Sequence, residues 1–176
     1  MEITNPREFL DYWEKVRQRT QKVIACIPPE KFDWRYAEGK FSFADLIRHL
    51  ATIERYMYAE NVQFKPSRYP GHGPEVANAT EVDGTEPADT PEKVLAFFNR
   101  MHQESMAIFS KLTAEDLQKK CVTPGNVSIT VWKWLRAMVE HEVHHRAQMY
   151  IYLGMLGIAT PPLYGLTSEE VRERSR

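Results

Sequence analysis

The stretch from Val131 to Leu156 constrains the fold more than any other part of the chain. Its apolar residues recur every three or four positions, the spacing of an α-helix, with Thr130 placed to cap it and Gly157 placed to end it. One side of this helix, about 80° wide, collects the residues that have to be buried. They are Trp134, Met138, His141, His145, Met149, Tyr152 and Leu156. Such a face requires other helices to cover it.

Three further stretches show the same periodicity. Asn5 and Pro6 open the first, Ser42 opens the second with Asp45 in the position of a capping box, and Thr90 opens the third. We therefore predict helices over 6–27, 43–60 and 91–112, followed by the helix over 131–156. Four amphipathic helices without a convincing pair of alternating strands predict an all-α four-helix bundle.

The connections are also encoded locally. Prolines and glycines are dense between Gln63 and Asp89, which predicts a long loop between helices two and three, of the kind that covers or flanks a site. Residues 113–117 predict a short capped turn, and residues 124–126 predict another turn. With 176 residues, the chain is expected to form a single domain over residues 1–176.

Composition excludes several classes of protein. The formal net charge is −1, and no basic run is present, so nucleic acid is not an expected partner. The first residues carry charges where a signal peptide needs an apolar stretch, and no window approaches 18 apolar residues. We therefore expect a cytoplasmic protein that does not insert into a membrane. Cys26 and Cys121 are expected to be buried free thiols.

His141 and His145 are the first indication of function. Residues four apart on a helix lie on one face about 6 Å apart, so both imidazoles can reach one divalent metal ion. A third ligand is needed, because catalytic zinc commonly has three protein ligands and one open position. His49, on the apolar face of helix two, is the candidate. We expect the remaining histidines to lie at the surface; they are His72, His102 and His144.

Residues 141–145 read HEVHH, which also satisfies the H-E-x-x-H pattern of zinc peptidases. That alternative is weak, because Gln148 and Ile151 stand where a metzincin has glycine and histidine, and no strand is available to hold a peptide. Glu142 has two interpretations. It either orients a ligand or acts as a base on an activated water, or it forms a salt bridge with Arg146 or another basic group.

Three segments of the chain resemble the DinB/YfiT-like superfamily. They are residues 41–50, which read FSFADLIRHL, residues 141–148, which read HEVHHRAQ, and residues 152–157. The resemblance covers nearly the whole chain. It implies a metal, zinc or nickel, bound by His49, His141 and His145, with water or substrate completing the shell. It also implies an up-down-down-up helix order, often in a homodimer.

By this resemblance, the expected activity is transfer or conjugation of a low-molecular-weight thiol by a metal-dependent enzyme. A cation lowers the pKa of a coordinated thiol and so generates a thiolate at neutral pH. Activation of water at the same site would instead give a hydrolase, and a closed shell would indicate a non-catalytic metal-binding stress protein. The substrate is expected to be a small molecule, contacted by the loop at residues 69–74, by residues 34–36 and by the tail near Tyr164.

Overall fold

The structure, a computed structural model, describes residues 2–69 and 88–175. Its four long helices are α1 (Pro6–Ile24), α2 (Phe43–Ile53), α3 (Pro91–Phe109) and α5 (Val131–Met155). The short elements are a 3-10 helix (Pro29–Lys31), α4 (Ala114–Gln118), β1 (Lys120–Val122), β2 (Ser128–Thr130) and α6 (Ser168–Arg174). The predicted all-α four-helix bundle is confirmed. Most of the loop predicted over 63–89 lies outside the described residues.

Contacts along the helices give their directions. α2 and α3 are parallel, because Arg48 donates to the carbonyl of Ala88 just before α3, whereas Arg55, further along the chain, pairs with Glu104 late in α3. α1 and α5 both run opposite to α2. For α1, its last residue Ile24 shares a buried cluster with Phe43 at the start of α2, and Phe9 near its start shares another with Val62. For α5, the order is likewise reversed, since His49 is in ring contact with His141 and the later Tyr58 with the earlier Trp134. The order is therefore up-down-down-up.

The predicted caps are largely present. Ser42 and Asp45 form a capping box, in which the Asp45 amide donates to the Ser42 hydroxyl over 3.1 Å and the Ser42 amide donates to the Asp45 carboxylate over 2.9 Å. Thr130 is different, since its side chain makes no capping hydrogen bond. The start of α5 is held instead by its backbone, because the Val131 amide donates to the carbonyl of Lys119 over 2.9 Å.

The hairpin of β1 and β2, the 3-10 helix and α6 were not expected. β1 and β2 pair as an antiparallel hairpin around the predicted turn at residues 124–126, with Cys121 opposite Ile129. Three-residue strands are too short to show alternation in the sequence. α6 forms in the tail after α5. Of the two cysteines, Cys121 is buried as expected, whereas Cys26 is only half-buried.

The helix predicted over 43–60 changes its winding midway. After α2 the chain continues as a π-helical turn, Glu54–Tyr58, and ends with one α-helical turn, Ala59–Asn61. Glu54, at the first position of this turn, is buried like the residues of α2 before it. The wider turn rotates the residues that follow, so Tyr58 is buried while Met57, placed on the apolar face by 3.6-residue periodicity, is half-buried. π-Helical turns of this kind are frequent at functional sites.

Within the described ranges, no helix is both long enough and apolar enough to cross a membrane.

Candidate metal centre

His49, His141 and His145 converge between α2 and α5. Nε2 of His49 lies 3.2 Å from Nε2 of His141. The ring centroids are 4.5 Å apart for His141 and His145 and 4.8 Å apart for His49 and His145. One nitrogen from each ring lies within 4.8 Å of the other two. The structure thus brings together the three residues that the sequence selected.

The spacing of these nitrogens fits one metal ion. Zinc binds imidazole nitrogen at about 2.0–2.1 Å in a tetrahedral shell, which places two ligand nitrogens about 3.3 Å apart. The 3.2 Å separation of His49 and His141 agrees with this value. Within the described residues, the group able to hold an ion consists of three histidines and no carboxylate or thiolate. Such a set is neutral and leaves the charge of a divalent cation uncompensated.

The environment keeps the imidazoles neutral. His49 and His145 are each only 9% exposed. Burial, together with the nearby His145, lowers the pKa of His49 to about 3. Burial, together with His145, His49 and His144, lowers the pKa of His141 to about 3. Burial also lowers the pKa of His145. All three rings therefore carry a free lone pair at neutral pH, the form that binds metals.

Hydrogen bonds at the outer nitrogens hold two of the rings. Nδ1 of His49 lies 3.0 Å from the hydroxyl of Tyr69. Nδ1 of His145 lies 3.1 Å from Oε1 of Gln148. When Nδ1 is engaged in this way, Nε2 is the nitrogen left for a metal, as in most protein metal sites.

Aromatic rings surround the three histidines. Phe41 lies 5.2 Å from the ring of His49, and Tyr58 lies 6.4 Å from the ring of His141. Trp134 in turn packs on Tyr58 at 4.6 Å. These rings make the surroundings apolar, which strengthens electrostatic interactions at the centre.

Tyr69 connects the centre to a cavity of about 540 Å³. The cavity is lined by residues 64–67, 69, 120–124 and 126, which include Lys65 and Lys120. Its volume lies in the range of small-molecule sites. Of the predicted loop contacts, Tyr69 therefore touches the centre, whereas residues 70–74, with His72, lie outside the described residues.

Glu142 faces α1, whereas its neighbour His141 faces α2. Its Oε2 is 3.4 Å from a guanidinium nitrogen of Arg17, and its side chain also bonds to Thr20, both on α1. Burial raises the pKa of Glu142. The salt-bridge interpretation thus has a partner, Arg17 instead of Arg146, while a role as base stays a prediction. His144 is exposed, as expected.

The expectation that His102 lies at the surface is wrong. His102 is buried, with Nδ1 2.9 Å from Glu54 and Nε2 3.1 Å from Glu14. Glu54 also accepts from Trp13 over 2.8 Å and from Arg17. Burial alone would lower the pKa of His102, but the hydrogen bond and charge of Glu54 raise it. The sequence did contain one indication of this network: Arg17 is a charged residue that lies four positions after Trp13 on the apolar face of α1 and so requires a buried partner.

The other predicted substrate contacts pack against side chains of α5, and their role toward a substrate stays a prediction. Trp34 and Tyr36 pack edge-on against Tyr152, at 5.4 Å and 5.6 Å. Tyr164 is exposed, and its hydroxyl accepts from Arg146 over 2.9 Å. These residues are thus structural neighbours of α5.

An up-down-down-up bundle with three inward histidines on facing helices defines a class of helical proteins built around a metal site. The chain belongs to the DinB superfamily, whose model matches residues 12–149.

Individual relatives agree with this placement. The uncharacterized protein YjoA of Bacillus subtilis (strain 168) is 23% identical over 159 residues, which are 89% of this chain and 94% of that protein. A DinB-like protein from Bacillus cereus ATCC 10987 superposes with a TM-score of 0.69 at 17% identity, covering 89% of this chain and 95% of the other. YfiT from Bacillus subtilis, described as a probable metal-dependent hydrolase with an unusual four-helix bundle topology, gives 0.63 at 19% identity, covering 88% and 89%. At these identities the two structures support the fold.

Proposed function

We propose that the chain binds one divalent metal ion, zinc or nickel, through His49, His141 and His145 and acts as a metal-dependent enzyme on a small molecule. The observation that carries the proposal is the convergence of three neutral imidazoles, two of them at ligand spacing. Three protein ligands leave a position for an exchangeable group, which is the arrangement of catalytic instead of structural sites.

The first candidate reaction is transfer of a low-molecular-weight thiol. A divalent ion held by this triad would lower the pKa of a thiol or water in the remaining position. The rings of Phe41 and Tyr58 make the surroundings of the triad apolar, which suits the carbon skeleton of an organic thiol as the occupant. Tyr69, at the border between the triad and the cavity, is placed to orient the substrate.

The second candidate is hydrolysis, and the description of YfiT as a probable metal-dependent hydrolase favours it. This reaction needs a proton acceptor near the triad. Glu142 would have to leave Arg17 to serve as that base. The Glu142→Gln variant would then lose hydrolysis while retaining the metal.

Metal content tests the centre. Protein purified without an affinity tag should contain about one metal ion per chain by mass spectrometry. His49→Ala and His145→Ala should lose it while retaining helical circular dichroism, because the bundle core supplies most of the stability. His144→Ala is the matched control, since His144 is exposed on the same helix. Metal retained in His49→Ala would remove His49 from the ligand set.

Cobalt-loaded protein separates the two reactions. Cysteine or glutathione added to it should produce a sulfur-to-cobalt charge-transfer band if a thiol occupies the open position. No band, together with metal-dependent hydrolysis of an ester substrate, would replace thiol transfer with hydrolysis. Homodimer formation and cytoplasmic location stay predictions.

A further inference from the structure

His145 stands at the end of a series of hydrogen bonds that runs along α5 and ends at the segment before α2. Its Nδ1 is 3.1 Å from Oε1 of Gln148, one turn further along α5. Nε2 of Gln148 donates to the hydroxyl of Tyr152 over 2.8 Å. Tyr152 donates in turn to the backbone carbonyl of Phe41 over 3.1 Å.

The last acceptor fixes the direction of every bond in this series. A backbone carbonyl can only accept, so the Tyr152 hydroxyl uses its single proton to donate to the carbonyl oxygen of Phe41. The Tyr152 oxygen is then an acceptor and takes an N–H from the amide of Gln148. The amide oxygen of Gln148 consequently faces His145, and it too can only accept. His145 must therefore carry its proton on Nδ1, which leaves the lone pair on Nε2.

We infer that Gln148 is a positioning residue for the metal centre: through Tyr152 and the Phe41 carbonyl it holds His145 in the tautomer and ring orientation that present Nε2 to the ion. The inference rests on the proposed metal site. It adds a residue that touches neither metal nor substrate.

The residue that anchors this series of hydrogen bonds is tightly packed. Tyr152 is 2% exposed and packs edge-on against Phe43 at 5.4 Å and against Trp34. Its hydroxyl is therefore held in one position, and the hydrogen bond to that hydroxyl orients the amide of Gln148. The outer bond of His49 lacks this directionality, because the Tyr69 hydroxyl can both donate and accept.

Gln148→Met tests the inference, since methionine keeps the length of the side chain but is only a weak hydrogen-bond acceptor. Zinc affinity, measured by competition with a chromogenic chelator, should fall 10- to 100-fold, the usual loss when such an outer partner of a metal ligand is removed. Gln148→Glu should restore affinity to within a few-fold, because a carboxylate accepts from Nδ1. Gln103→Met, at an exposed position on α3, is the matched control and should bind as the wild type does.

The tautomer of His145 gives a second readout that needs no metal. In the metal-free wild type, nitrogen-15 NMR should show His145 protonated at Nδ1 only. Gln148→Met should show a mixture of both tautomers. Tyr152→Phe, which keeps the packing but removes the hydroxyl, should also show a mixture and lose at least threefold in zinc affinity.

The two proposals fail in different ways. A wild-type protein that binds no zinc but shows the fixed tautomer, lost in Gln148→Met, would overturn the metal site and retain the role of Gln148 in orienting His145. Zinc binding that is unchanged in both Gln148→Met and Tyr152→Phe, with an unchanged tautomer, would overturn the inference and leave the three-histidine site standing.

Discussion

Arg17 is the side chain whose removal should most disturb the bundle away from the metal centre. It is fully buried, bonds to the carboxylate of Glu54, lies 3.4 Å from Glu142 and covers the ring of Phe98 at 4.2 Å. Arg17→Met keeps most of the volume and removes the charge. Two buried carboxyl groups then lose the cation that faces them.

The magnitude follows from that geometry. Breaking a buried ion pair by removing one partner costs about 3–5 kcal/mol, because the remaining charge stays buried without compensation. For a chain of this size, 1 kcal/mol changes the melting temperature by about 2–4 °C. We therefore expect Arg17→Met to melt roughly 6–20 °C below the wild type. Lys15→Met, an exposed position on α1, is the control and should change the melting temperature little.

The pH dependence separates charge from packing. Burial alone would raise the pKa of Glu54, but Arg17 and His102 hold it below its ordinary 4.5. In the wild type, Glu54 thus contributes stability above pH 4.5 that is lost as the pH falls through its lower folded pKa. Without Arg17 that pKa rises, so Glu54 can protonate in the folded state. The difference between wild type and variant should shrink from pH 7 to pH 4.

Thermal and guanidinium unfolding followed by circular dichroism measure these quantities. Arg17→Met combined with Glu54→Gln should recover at least half of the loss, since the second change removes the uncompensated charge but keeps an acceptor for Trp13. A loss below about 1 kcal/mol in Arg17→Met, or a double variant less stable than Arg17→Met alone, would refute the reasoning, which assigns the cost to a stranded charge.

Two further predictions concern stability. Because the folded pKa values of His49 and His141 are about 3, below the ordinary 6.5, the unfolded chain takes up protons first as the pH falls below 6.5. The metal-free protein should therefore lose stability toward pH 5, by up to about 1.4 kcal/mol per pH unit for each histidine, and the guanidinium midpoint of His49→Ala should depend less on pH. Gly154→Ala should stabilise the fold by about 0.5–1 kcal/mol, because that helical position is exposed and nothing lies within 4 Å of an added Cβ. Gly157→Ala should destabilise it by about 1 kcal/mol, because Gly157 has a φ of +68°, which strains any residue with a Cβ. Unfolding by denaturant measures both changes.

The helices and the histidine triad could be predicted because both depend on local spacing. An apolar repeat over residues 131–156 identifies a buried face whatever that face meets, and His141 and His145 lie on it at a fixed separation. His49 follows from the same rule applied to α2. The hairpin β1–β2 could not be predicted in this way, because three-residue strands are stabilised by pairing with each other and carry no repeat of their own.

His102, Arg17 and Gln148 show where local spacing ceases to be sufficient. Periodicity gives the direction of a side chain relative to its own helix, whereas burial of a polar group depends on a partner in another helix. His102 is buried because it meets Glu54, the residue that directly follows α2, and Arg17 meets Glu142 because α1 and α5 lie side by side. The direction of the Gln148 amide is decided by a backbone carbonyl 111 residues from Tyr152, which carries no side-chain signal at all. A polar residue on the apolar face of a predicted helix is therefore best interpreted as one member of a buried polar pair. The order of the helices then indicates which helix carries the other member.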